Sequence, residues 1–580
     1  MVNVKINGID VQVEKGSTIL EAAKKINIKI PTLCHLDMHG LGFINRDANC
    51  RVCLVEDNRN HKLIPACDTL VKEGMDIRTD TAKVLRARKV NIELLLSNHP
   101  ADCLVCSKSG NCELQDLAWL ANVRKIRYSG ERSHYPLDNL SHSLIRDPNK
   151  CVLCKRCETM CNEVQTVGTL TDIGRGFPTV IGTEFNESMV NTNCTFCGQC
   201  LSVCPTGALY EVSYIDEVQK ALDDPEKVVL VQTAPAVRVA LGEDFGMKPG
   251  SVVTGQMVTA LRNIGFDYVF DTDFAADLTT MEETKEFVTR FQSGENLPIL
   301  TSCCPSWVNF IEYNFPDMLN IPSTCKSPHE MFGAVAKSYF AEKHNIDPSK
   351  IVVVSIMPCI AKKYEAARPE LSNEGHSDVD YVLSTRELAY MIKDRSMDFP
   401  NLPVSEFDNP LGESSGAGVI FGSTGGVMEA ALRTAYNIIT GEDLQELEYH
   451  ELKGLKGFKE AELEIAGRKV RAAVVSGLGN ARKLLNLIKS KERNYDIIEI
   501  MACPGGCIDG GGQPFIHGDT SIIEKRMNAI HTEDRNKPIR RSYQNPSIVK
   551  IYSEYLGEPG GEKAHHLLHT TYGKKAVMAD

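Results

Sequence analysis

The sequence predicts a multidomain protein of the α/β and α+β classes, and three observations carry the prediction. Its 580 residues correspond to about three to five domains of ordinary size. Closely spaced cysteines run through residues 34–204, which is typical of small, loop-rich modules. From about residue 214 onwards, β-branched apolar runs end in loops, which indicates buried and largely parallel strands covered by helices.

The overall composition argues against several classes of protein. With 42% hydrophobic and 24% charged residues, the chain resembles a soluble globular protein. A formal net charge of −12 argues against nucleic acid as a partner, and no apolar run approaches the ~18 residues of a membrane span. The N-terminus lacks the basic and apolar regions of a secretory signal. We therefore expect a cytoplasmic protein whose clustered cysteines bind metal rather than form disulfides.

Residues 1–78 predict a small β-grasp module of the 2Fe–2S ferredoxin type. Apolar and polar residues alternate around Asn7-Gly8, a strong hairpin signal, and Thr18 with Glu21 predicts a capping box for a short helix. The cysteines that follow in loops are Cys34, Cys50, Cys53 and Cys67. Their spacing departs from the plant type and resembles that of the N-terminal 2Fe–2S module of the complex I large subunit and of large hydrogenases. A zinc site built on the C-x2-C pair is the alternative interpretation.

Residues 79–125 predict a 4Fe–4S module with a histidine ligand. A helix is expected over residues 81–98, and His99 stands just ahead of three cysteines that lack a fourth partner. Those cysteines are Cys103, Cys106 and Cys112. Imidazole is a good iron ligand, so we predict that His99 completes the set. A capping or core role is the alternative for this histidine.

Residues 140–212 predict a domain that holds two 4Fe–4S clusters. The pattern C-x2-C-x2-C-x3-C occurs twice, and the second copy ends in Cys204-Pro205. In this repeat of bacterial ferredoxins, the fourth cysteine of each run ligates the other cluster. The predicted ligand sets are Cys151, Cys154, Cys157 and Cys204 for one cluster, and Cys194, Cys197, Cys200 and Cys161 for the other.

The C-terminal half predicts a fifth metal centre. Apolar runs at 297–305, 351–359 and 496–507 each deliver cysteines at their C-terminal ends, where open α/β sheets place their ligands. The cysteines expected to converge there are Cys304, Cys359, Cys503 and Cys507.

Three motifs around these cysteines carry a resemblance to a known family. TSCCPSW (301–307), MPCIAKKYEA (357–366) and MACPGGCIDGGGQP (501–514) resemble the signature motifs of iron-only (FeFe) hydrogenases. The resemblance covers essentially the whole chain, and Ser542–Tyr572 resembles the small subunit of two-chain members. It implies a hydrogenase domain over 214–541, with twisted sheets flanked by helices, and a small-subunit-like segment over 542–580.

The resemblance also implies the cofactors and the reaction. The active site would be an H-cluster, a 4Fe–4S cubane joined through a cysteine sulfur to a two-iron unit with CO, cyanide and a bridging dithiolate amine. The cubane ligands would be the four converging cysteines, with Cys507 as the bridge. Three accessory 4Fe–4S clusters and one 2Fe–2S cluster would connect it to an electron partner. The implied reaction is 2H⁺ + 2e⁻ ⇌ H₂.

A proton path follows from the same resemblance. Cys303 matches the thiol that passes protons to the bridging amine, although a small buried hydrophobe is the usual fate of a free cysteine. Glu283, Glu286 and Arg290 lie at spacings of three and four and so share one helix face. A solvated face with an ion pair is the ordinary interpretation of that pattern. The resemblance instead implies a relay in which Ser323 joins the two glutamates.

The remaining pocket residues are also assigned by resemblance. Lys362 matches a donor to a cyanide ligand, and Pro235 with Ala236 matches a backbone turn that meets another cyanide. The family often has serine at the position of Ala236, so one side-chain hydrogen bond is in doubt. Met357, Phe421, Gly422 and Met501 are expected to line the pocket. The leftover Cys325 is interpreted as structural.

The electron partner is open between two kinds of protein. One is a soluble ferredoxin, and the other is an NAD(P)-linked flavoprotein iron–sulfur subunit of a hetero-oligomeric, electron-bifurcating enzyme. No GxGxxG nucleotide motif occurs in this chain, so a nicotinamide would bind to the partner, and Pro504 favours the multimeric form. A non-catalytic assembly or sensor protein, and a complex I-like electron-transfer subunit, are the alternative functions.

Overall fold

The computed structural model describes residues 1–45, 48–444, 450–451 and 457–575, and its first module is a five-stranded sheet with one helix. The elements are β1 (Val2–Ile6), β2 (Ile9–Val13), α1 (Ile19–Lys25), β3 (Leu36–Met38), β4 (Phe43–Asn45), β5 (Leu54–Asp57), β6 (Lys62–Pro65) and β7 (Met75–Arg78). The strand order is β2-β1-β7-β5-β6, with β1 and β7 parallel. The predicted hairpin joins β1 to β2, and Thr18 and Glu21 form both hydrogen bonds of the predicted capping box.

Residues 79–212 form short elements around cysteine-bearing loops. They are α2 (Ala82–Asn98), α3 (Glu113–Leu120), β8 (Leu144–Arg146), α4 (Arg156–Thr159), β9 (Thr171–Ile173), β10 (Val180–Gly182), α5 (Gln199–Ser202) and β11 (Leu209–Glu211). The one-turn helices α4 and α5 each start after a left-handed residue, Lys155 and Gly198. Gly198 also approaches the large C-terminal domain closely, because a Cβ there would lie 2.7 Å from the side chain of Ile360.

The large C-terminal domain alternates strands and helices, as predicted. It contains α6 (Ile215–Asp223), β12 (Val228–Thr233), α7 (Thr254–Ile264), β13 (Tyr268–Asp271), α8 (Thr272–Ser293), β14 (Ile299–Leu300), α9 (Pro305–Asn314), α10 (Pro328–Val335), α11 (Ala341–His344), β15 (Ile351–Met357), α12 (Ala361–Ala366), β16 (Ser372–Asn373), β17 (His376–Ser377), β18 (Tyr381–Ser384), α13 (Thr385–Asp394), α14 (Gly416–Val419), α15 (Gly426–Thr440), β19 (His450–Glu451), β20 (Phe458–Ile465), β21 (Arg468–Ser476), α16 (Leu478–Lys489), β22 (Ile497–Met501) and α17 (Ser521–Asn536). The last helices are α18 (Pro546–Ile551) and α19 (Glu562–Leu568). No helix within the described ranges has both the length and the apolar character to cross a membrane.

Two sheets organise this domain. The first has the order β13-β12-β15-β18 and is parallel throughout; every residue of its central β15 is buried, which confirms the prediction for this sheet. The second has the order β14-β22-β21-β20-β19 and is mixed. Its β20 and β21 form an antiparallel hairpin. The two loop residues, Ala466 and Gly467, both have positive φ, as a tight hairpin turn requires.

A buried arginine joins the three N-terminal modules. The Arg156 guanidinium donates to both carboxylate oxygens of Glu113, at 2.7 and 2.8 Å. It also reaches the carbonyl oxygens of Cys34 and His35 at 3.4 and 3.3 Å, and that of Val203 at 3.5 Å. Because the side chain is buried, its charge is satisfied only when the three modules are docked together.

A buried carboxylate ties the C-terminal segment, residues 542–575, to the large domain that precedes it. Asp277 on α8 accepts from the backbone N and hydroxyl of Ser415, at 2.8 and 2.5 Å. From the C-terminal segment it accepts the Ser542 hydroxyl at 2.7 Å and the Asn545 amide at 2.9 Å. Burial raises the pKa of Asp277, so these hydrogen bonds stabilise an otherwise unfavourable buried group.

We expect Asp277→Ala to loosen this segment, because it leaves buried donors without an acceptor. The free energy of unfolding should fall by about 3 kcal/mol, and limited proteolysis followed by mass spectrometry should release fragments that begin between α17 and α18. Glu295→Ala removes an exposed carboxylate just after α8 and is the matched control. Equal cleavage rates for the two variants would contradict this role of Asp277.

Candidate functional site

Four cysteines meet where the two large sheets end. Cys304 follows β14, Cys359 follows β15, and Cys503 follows β22. Cys507 is brought back towards them by a turn at Gly506, where a Cβ would lie 2.5 Å from the backbone N of Thr424. Burial and then the proximity of Cys359, Cys304 and Cys507 raise the pKa of Cys503 far above its usual range. The structure therefore brings the predicted set together.

The donor set fits an iron–sulfur cubane. Each of the 21 cysteines in the chain is a free thiol, and soft thiolates are the ligands that iron–sulfur clusters use. Buried thiols that face one another are unfavourable as charged groups unless a cation joins them. That these four cysteines ligate the cluster remains a prediction.

An apolar pocket adjoins this set. Phe421 and Met501 pack with Cys303, Cys304 and Cys507, which agrees with their predicted lining positions. Ala236 belongs to an adjoining apolar cluster against which Cys507 packs, and Gly422 lies beside it, since a Cβ on Gly422 would be 3.3 Å from the backbone N of Ala236. Pro235 directly precedes Ala236 in the chain. Met357 differs, because it packs into the core around the first sheet.

Lys362 is held at the rim of the pocket by residues that the sequence did not single out. Its Nζ donates to the carbonyl oxygen of Cys303 at 3.0 Å and to Glu365 at 2.7 Å. Burial acts to raise the pKa of Glu365, but Lys362 and His329 outweigh it and lower that pKa to about 2. Glu365 follows Lys362 by one helical turn, so the spacing in the sequence could have predicted this ion pair. His329 lies on the distant helix α10, and no spacing in the sequence predicts its contact with Glu365.

Glu283 is the buried acid of the predicted relay. Neither of its carboxylate oxygens has a hydrogen-bond partner among the residues that the structure describes. Burial and then the charge of Glu286 raise the pKa of Glu283 to about 8. Burial also raises the pKa of the Cys303 thiol, and Glu283 is the first charged group to add to that effect. The Cys303 thiol and the Glu283 carboxyl group are therefore close enough to interact electrostatically.

Glu286 lies at the outer end of the predicted relay. It accepts from the Ser323 hydroxyl at 2.8 Å and from the backbone N of Thr324 at 3.1 Å, and it pairs with Arg290. The Ser323 hydroxyl donates to Glu286 and accepts from the backbone N of Cys325 at 3.2 Å. The sequence predicted that it joins both glutamates, but among the described residues it makes no hydrogen bond to Glu283. It lies close enough to Glu283 to lower the pKa of that acid. The side chains of Glu286 and Arg290 are 14% and 13% exposed, so this end reaches solvent.

Two cavities contain the cysteines of the two-cluster domain. One is lined by Cys151, Cys154, Cys157 and Cys204. The other is lined by Cys161, Cys194, Cys197 and Cys200. The fourth cysteine of each run thus lies with the other run, as the repeat predicts.

The outer two sets are also assembled. Cys34, Cys50, Cys53 and Cys67 are all buried, and the sulfurs of Cys53 and Cys67 are 3.3 Å apart. His99 donates Nδ1–H to the carbonyl oxygen of Pro100 at 2.9 Å. Its Nε2 is buried without a hydrogen-bond partner in the described chain, which fits a ring nitrogen that binds metal. Cys103, Cys106 and Cys112 follow, and Cys103 is exposed.

The five cysteine sets follow one another through the protein, with neighbouring sets joined by shared apolar clusters. Cys34, Cys50, Cys112 and Cys154 share one apolar cluster, which joins the three outer sets. At the inner end, Cys161, Cys197 and Cys304 pack against a common core. The Asn309 amide also donates to the carbonyl oxygen of Cys194 at 3.0 Å. This arrangement suits electron transfer from the exposed Cys103 region to the pocket of Cys303.

Family models match nearly the whole chain. They are the 2Fe-2S iron-sulfur cluster binding domain (1–82), the NADH-ubiquinone oxidoreductase-G iron-sulfur binding region (88–127), the 4Fe-4S dicluster domain (150–208), the C-terminal domain of the iron only hydrogenase large subunit (227–511) and the iron hydrogenase small subunit (520–575). The chain therefore carries 2Fe–2S and 4Fe–4S domains together with an H-cluster hydrogenase domain.

Individual proteins support the same assignment. The chain is 53% identical to the NADP-reducing hydrogenase subunit HndD of Solidesulfovibrio fructosivorans, over 99% of both chains. It is 41% identical to iron hydrogenase 1 of Clostridium pasteurianum, over 99% of this chain and 100% of that one. A solved variant of apo FeFe hydrogenase HydA1 from Chlamydomonas reinhardtii is 42% identical, with a TM-score of 0.58 over 63% of this chain and 99% of that one. The protein thus belongs to the iron-only, or FeFe, hydrogenase family.

Proposed function

We propose that this hydrogenase interconverts protons and H₂, 2H⁺ + 2e⁻ ⇌ H₂, by moving protons through Cys303, Glu283, Ser323, Glu286 and Arg290. One observation carries the proposal: titratable and hydroxyl groups succeed one another from the apolar pocket to a partly exposed end, with Ser323 hydrogen-bonded to Glu286 and close to Glu283. Glu283 influences Cys303 at the inner end, and Glu286 pairs with Arg290 at the outer end. Such a line supports proton exchange between a water-poor pocket and solvent.

The cofactor would be held by the chain's own thiols. Cys304, Cys359, Cys503 and Cys507 would bind the cubane, with Cys507 as the bridging thiolate. When bound, the H-cluster supplies the two-electron chemistry that forms or splits H₂. The apolar side chains of Phe421 and Met501 exclude water from that site, which strengthens every electrostatic interaction within it.

The protonation state of Glu283 decides whether this acid can donate a proton towards Cys303 or accept one from it. With a pKa of about 8, this acid carries a proton at neutral pH, as a donor to Cys303 must. The Ser323 hydroxyl both donates and accepts, so rotation of its O–H lets it exchange a proton between the two glutamates. Arg290 keeps Glu286 at the solvent-accessible end.

Lys362 is proposed to orient an anionic ligand of the two-iron unit. Burial acts to lower the pKa of Lys362, but Glu365 outweighs it and raises that pKa. The ammonium is therefore charged and fixed in place, and a charged donor forms the stronger hydrogen bond to a cyanide.

Electrons are proposed to cross the four accessory clusters in the order of the cysteine sets. His99, Cys103, Cys106 and Cys112 would bind the cluster nearest the surface. A neutral imidazole in place of a thiolate makes that cluster less negative, which raises its reduction potential. An outer cluster of higher potential collects electrons that leave the enzyme during H₂ oxidation.

The partner is proposed to be an NAD(P)-linked flavoprotein iron–sulfur subunit, with ferredoxin as a second carrier in an electron-bifurcating hetero-oligomer. The similarity to a protein named as a subunit of an NADP-reducing hydrogenase supports this, and so does the lack of a GxGxxG motif. Free thiols throughout the chain favour a reducing compartment such as the cytoplasm.

We expect Glu283→Gln to lower H₂ evolution by roughly 10²–10⁴-fold, because an amide cannot carry the proton, and Cys303→Ala to do the same. In the unaltered enzyme, H₂ evolution should fall and H₂ oxidation should rise as the pH passes about 8, since the protonated acid donates and the ionised acid accepts. Dye-linked assays across a pH series measure both rates.

Lys285→Gln is the matched control, because Lys285 is exposed on the same helix. A transition near this pH that survives in Glu283→Gln would contradict the assignment. A fully matured enzyme with no H₂ turnover would favour the assembly or sensor alternative instead.

His99→Ala should remove one 4Fe–4S cluster, and His99→Cys should keep it but shift its midpoint potential to a more negative value, because a thiolate adds negative charge. Iron content and potentiometric EPR titration measure the two effects. His134→Ala changes an exposed histidine and serves as the control. An unchanged EPR spectrum in His99→Ala would remove this histidine from the ligand set.

Purification of the native protein under anaerobic conditions should recover flavin-containing subunits with this chain, because it lacks a nucleotide-binding motif of its own. The complex should reduce NAD(P)⁺ with H₂. Full activity with ferredoxin alone, and no copurifying subunit, would refute the hetero-oligomeric form.

A further inference from the structure

The C-terminal segment runs beside the outer end of the proton relay. The backbone N of Thr570 donates to the carbonyl oxygen of Thr324 at 2.7 Å, and that of Lys326 donates to Leu568 at 2.8 Å. Cys325 pairs with His569 in the same short antiparallel contact. This pairing places the imidazole of His569 next to the relay.

Three different metal-binding side chains converge there. Glu286, Cys325 and His569 each offer a ligand atom within 4.8 Å of the other two. Cys325 Sγ lies 4.0 Å from Glu286 Oε2. Two ligands of one tetrahedral zinc ion lie about 3.3–3.8 Å apart, given bonds of about 2.0–2.3 Å. The three atoms therefore reach a common ion after side-chain movements of less than about 1 Å.

We propose that Glu286, Cys325 and His569 form a binding site for a thiophilic divalent cation of the Zn²⁺ class, and that an ion bound there stops proton transfer. Thiolate, imidazole and carboxylate are the three donor types that zinc sites use. The proposed site takes up Cys325, the cysteine that neither the five cluster sets nor the proposed proton path uses.

Glu282 gives His569 the orientation of a metal ligand. Its carboxylate accepts His569 Nε2–H at 3.0 Å and also accepts from Tyr552 and from the backbone N of Gly560. A histidine that binds metal generally donates its other ring N–H to a carboxylate in this way. Nδ1 is thereby left with its lone pair towards Thr324, whose hydroxyl is 2.7 Å away and rotates aside when an ion takes its place.

Charge and access suit a divalent cation. Before binding, the group contains two carboxylates, Glu282 and Glu286, and one guanidinium, that of Arg290, which leaves one excess negative charge. A divalent ion that displaces the thiol proton of Cys325 brings the group to neutrality. Arg290 keeps the carbonyl oxygens of Ile321 and Pro322 as partners, so it stays in place. Glu286 is 14% exposed, which gives an ion a way in from solvent.

Occupancy would block the relay at Glu286. An ion on its carboxylate removes the lone pair that accepts a proton and repels any proton that approaches. This consequence rests on the proposed proton path, whereas the binding of the ion does not. The two statements can therefore fail separately.

The test uses the matured full-length enzyme under anaerobic conditions, with zinc chloride as the probe. Equilibrium dialysis and elemental analysis count the bound zinc, and X-ray absorption at the zinc edge identifies its ligands. We expect one sulfur neighbour at about 2.3 Å and nitrogen or oxygen neighbours at about 2.0 Å. Cys325→Ser should lose the sulfur neighbour, and a spectrum without sulfur in the unaltered enzyme would overturn the site.

Activity is measured in parallel. Zinc should lower H₂ evolution reversibly, with recovery on addition of a chelator. Loss of a residue that only supports a metal ligand typically weakens metal binding by roughly 10–100-fold. Cys325→Ser and His569→Gln remove a ligand itself, so each should raise the inhibitory zinc concentration at least about tenfold. Each variant is compared with its own zinc-free rate.

Two controls separate the explanations. His565→Gln changes an exposed ring that only stacks on His569, and its zinc sensitivity should stay that of the unaltered enzyme. Cys325→Ser keeps every cysteine of the cluster sets, so inhibition that persists at the same zinc concentration would show attack on the clusters and overturn the proposal. Zinc bound through sulfur without loss of activity would keep the site and refute the passage of protons through Glu286.

Discussion

The arrangement of the electron-carrying modules depends on the buried Arg156 guanidinium. A charge inside a protein is tolerated only when its hydrogen bonds are all made, and those of Arg156 are made by Glu113, by carbonyl oxygens near Cys34 and by that of Val203. Each partner belongs to a different module or to a different cysteine run. Displacement of one module would leave the charge unpaired, so the metal-binding loops are held in one geometry relative to one another.

The same rule makes Glu283 conspicuous. Some buried charged groups of the catalytic domain are ion-paired, such as Lys362 with Glu365 and Arg368 with Glu312, and the buried carboxylates of Asp277 and Glu499 accept hydrogen bonds. Glu283 has no such partner in the described chain, and burial holds it in its neutral form near pH 7. A carboxyl group that is neutral but close to ionisation is a poor structural element and a good proton carrier. Its isolation is therefore better explained by function than by folding.

Local sequence patterns predicted much of this molecule, because many of its features are local. The capping box at Thr18, the hairpin at Asn7-Gly8 and the exchange of the fourth cysteines between runs all follow from short spacings. The convergence of Cys304, Cys359 and Cys503 follows from the rule for strand ends. By contrast, β20 carries charged residues on its exposed face, so it lacks the apolar run that marked the other strands. The roles of His329 and Thr324 depend on contacts between distant elements, which no local period encodes.

The C-terminal segment contacts the residues around Glu286, although it is distant from them in the sequence. The hydroxyl of Tyr572 donates to the carbonyl oxygen of Ser323 at 3.0 Å, and Thr570 bonds to Thr324. The two residues that hold Glu286 are thus held by a segment from the far end of the chain. Covalent fusion keeps that segment at a high effective concentration beside the relay. The proposed proton path is therefore built from both parts of the catalytic unit, and the small-subunit-like segment contributes to its geometry rather than only to stability.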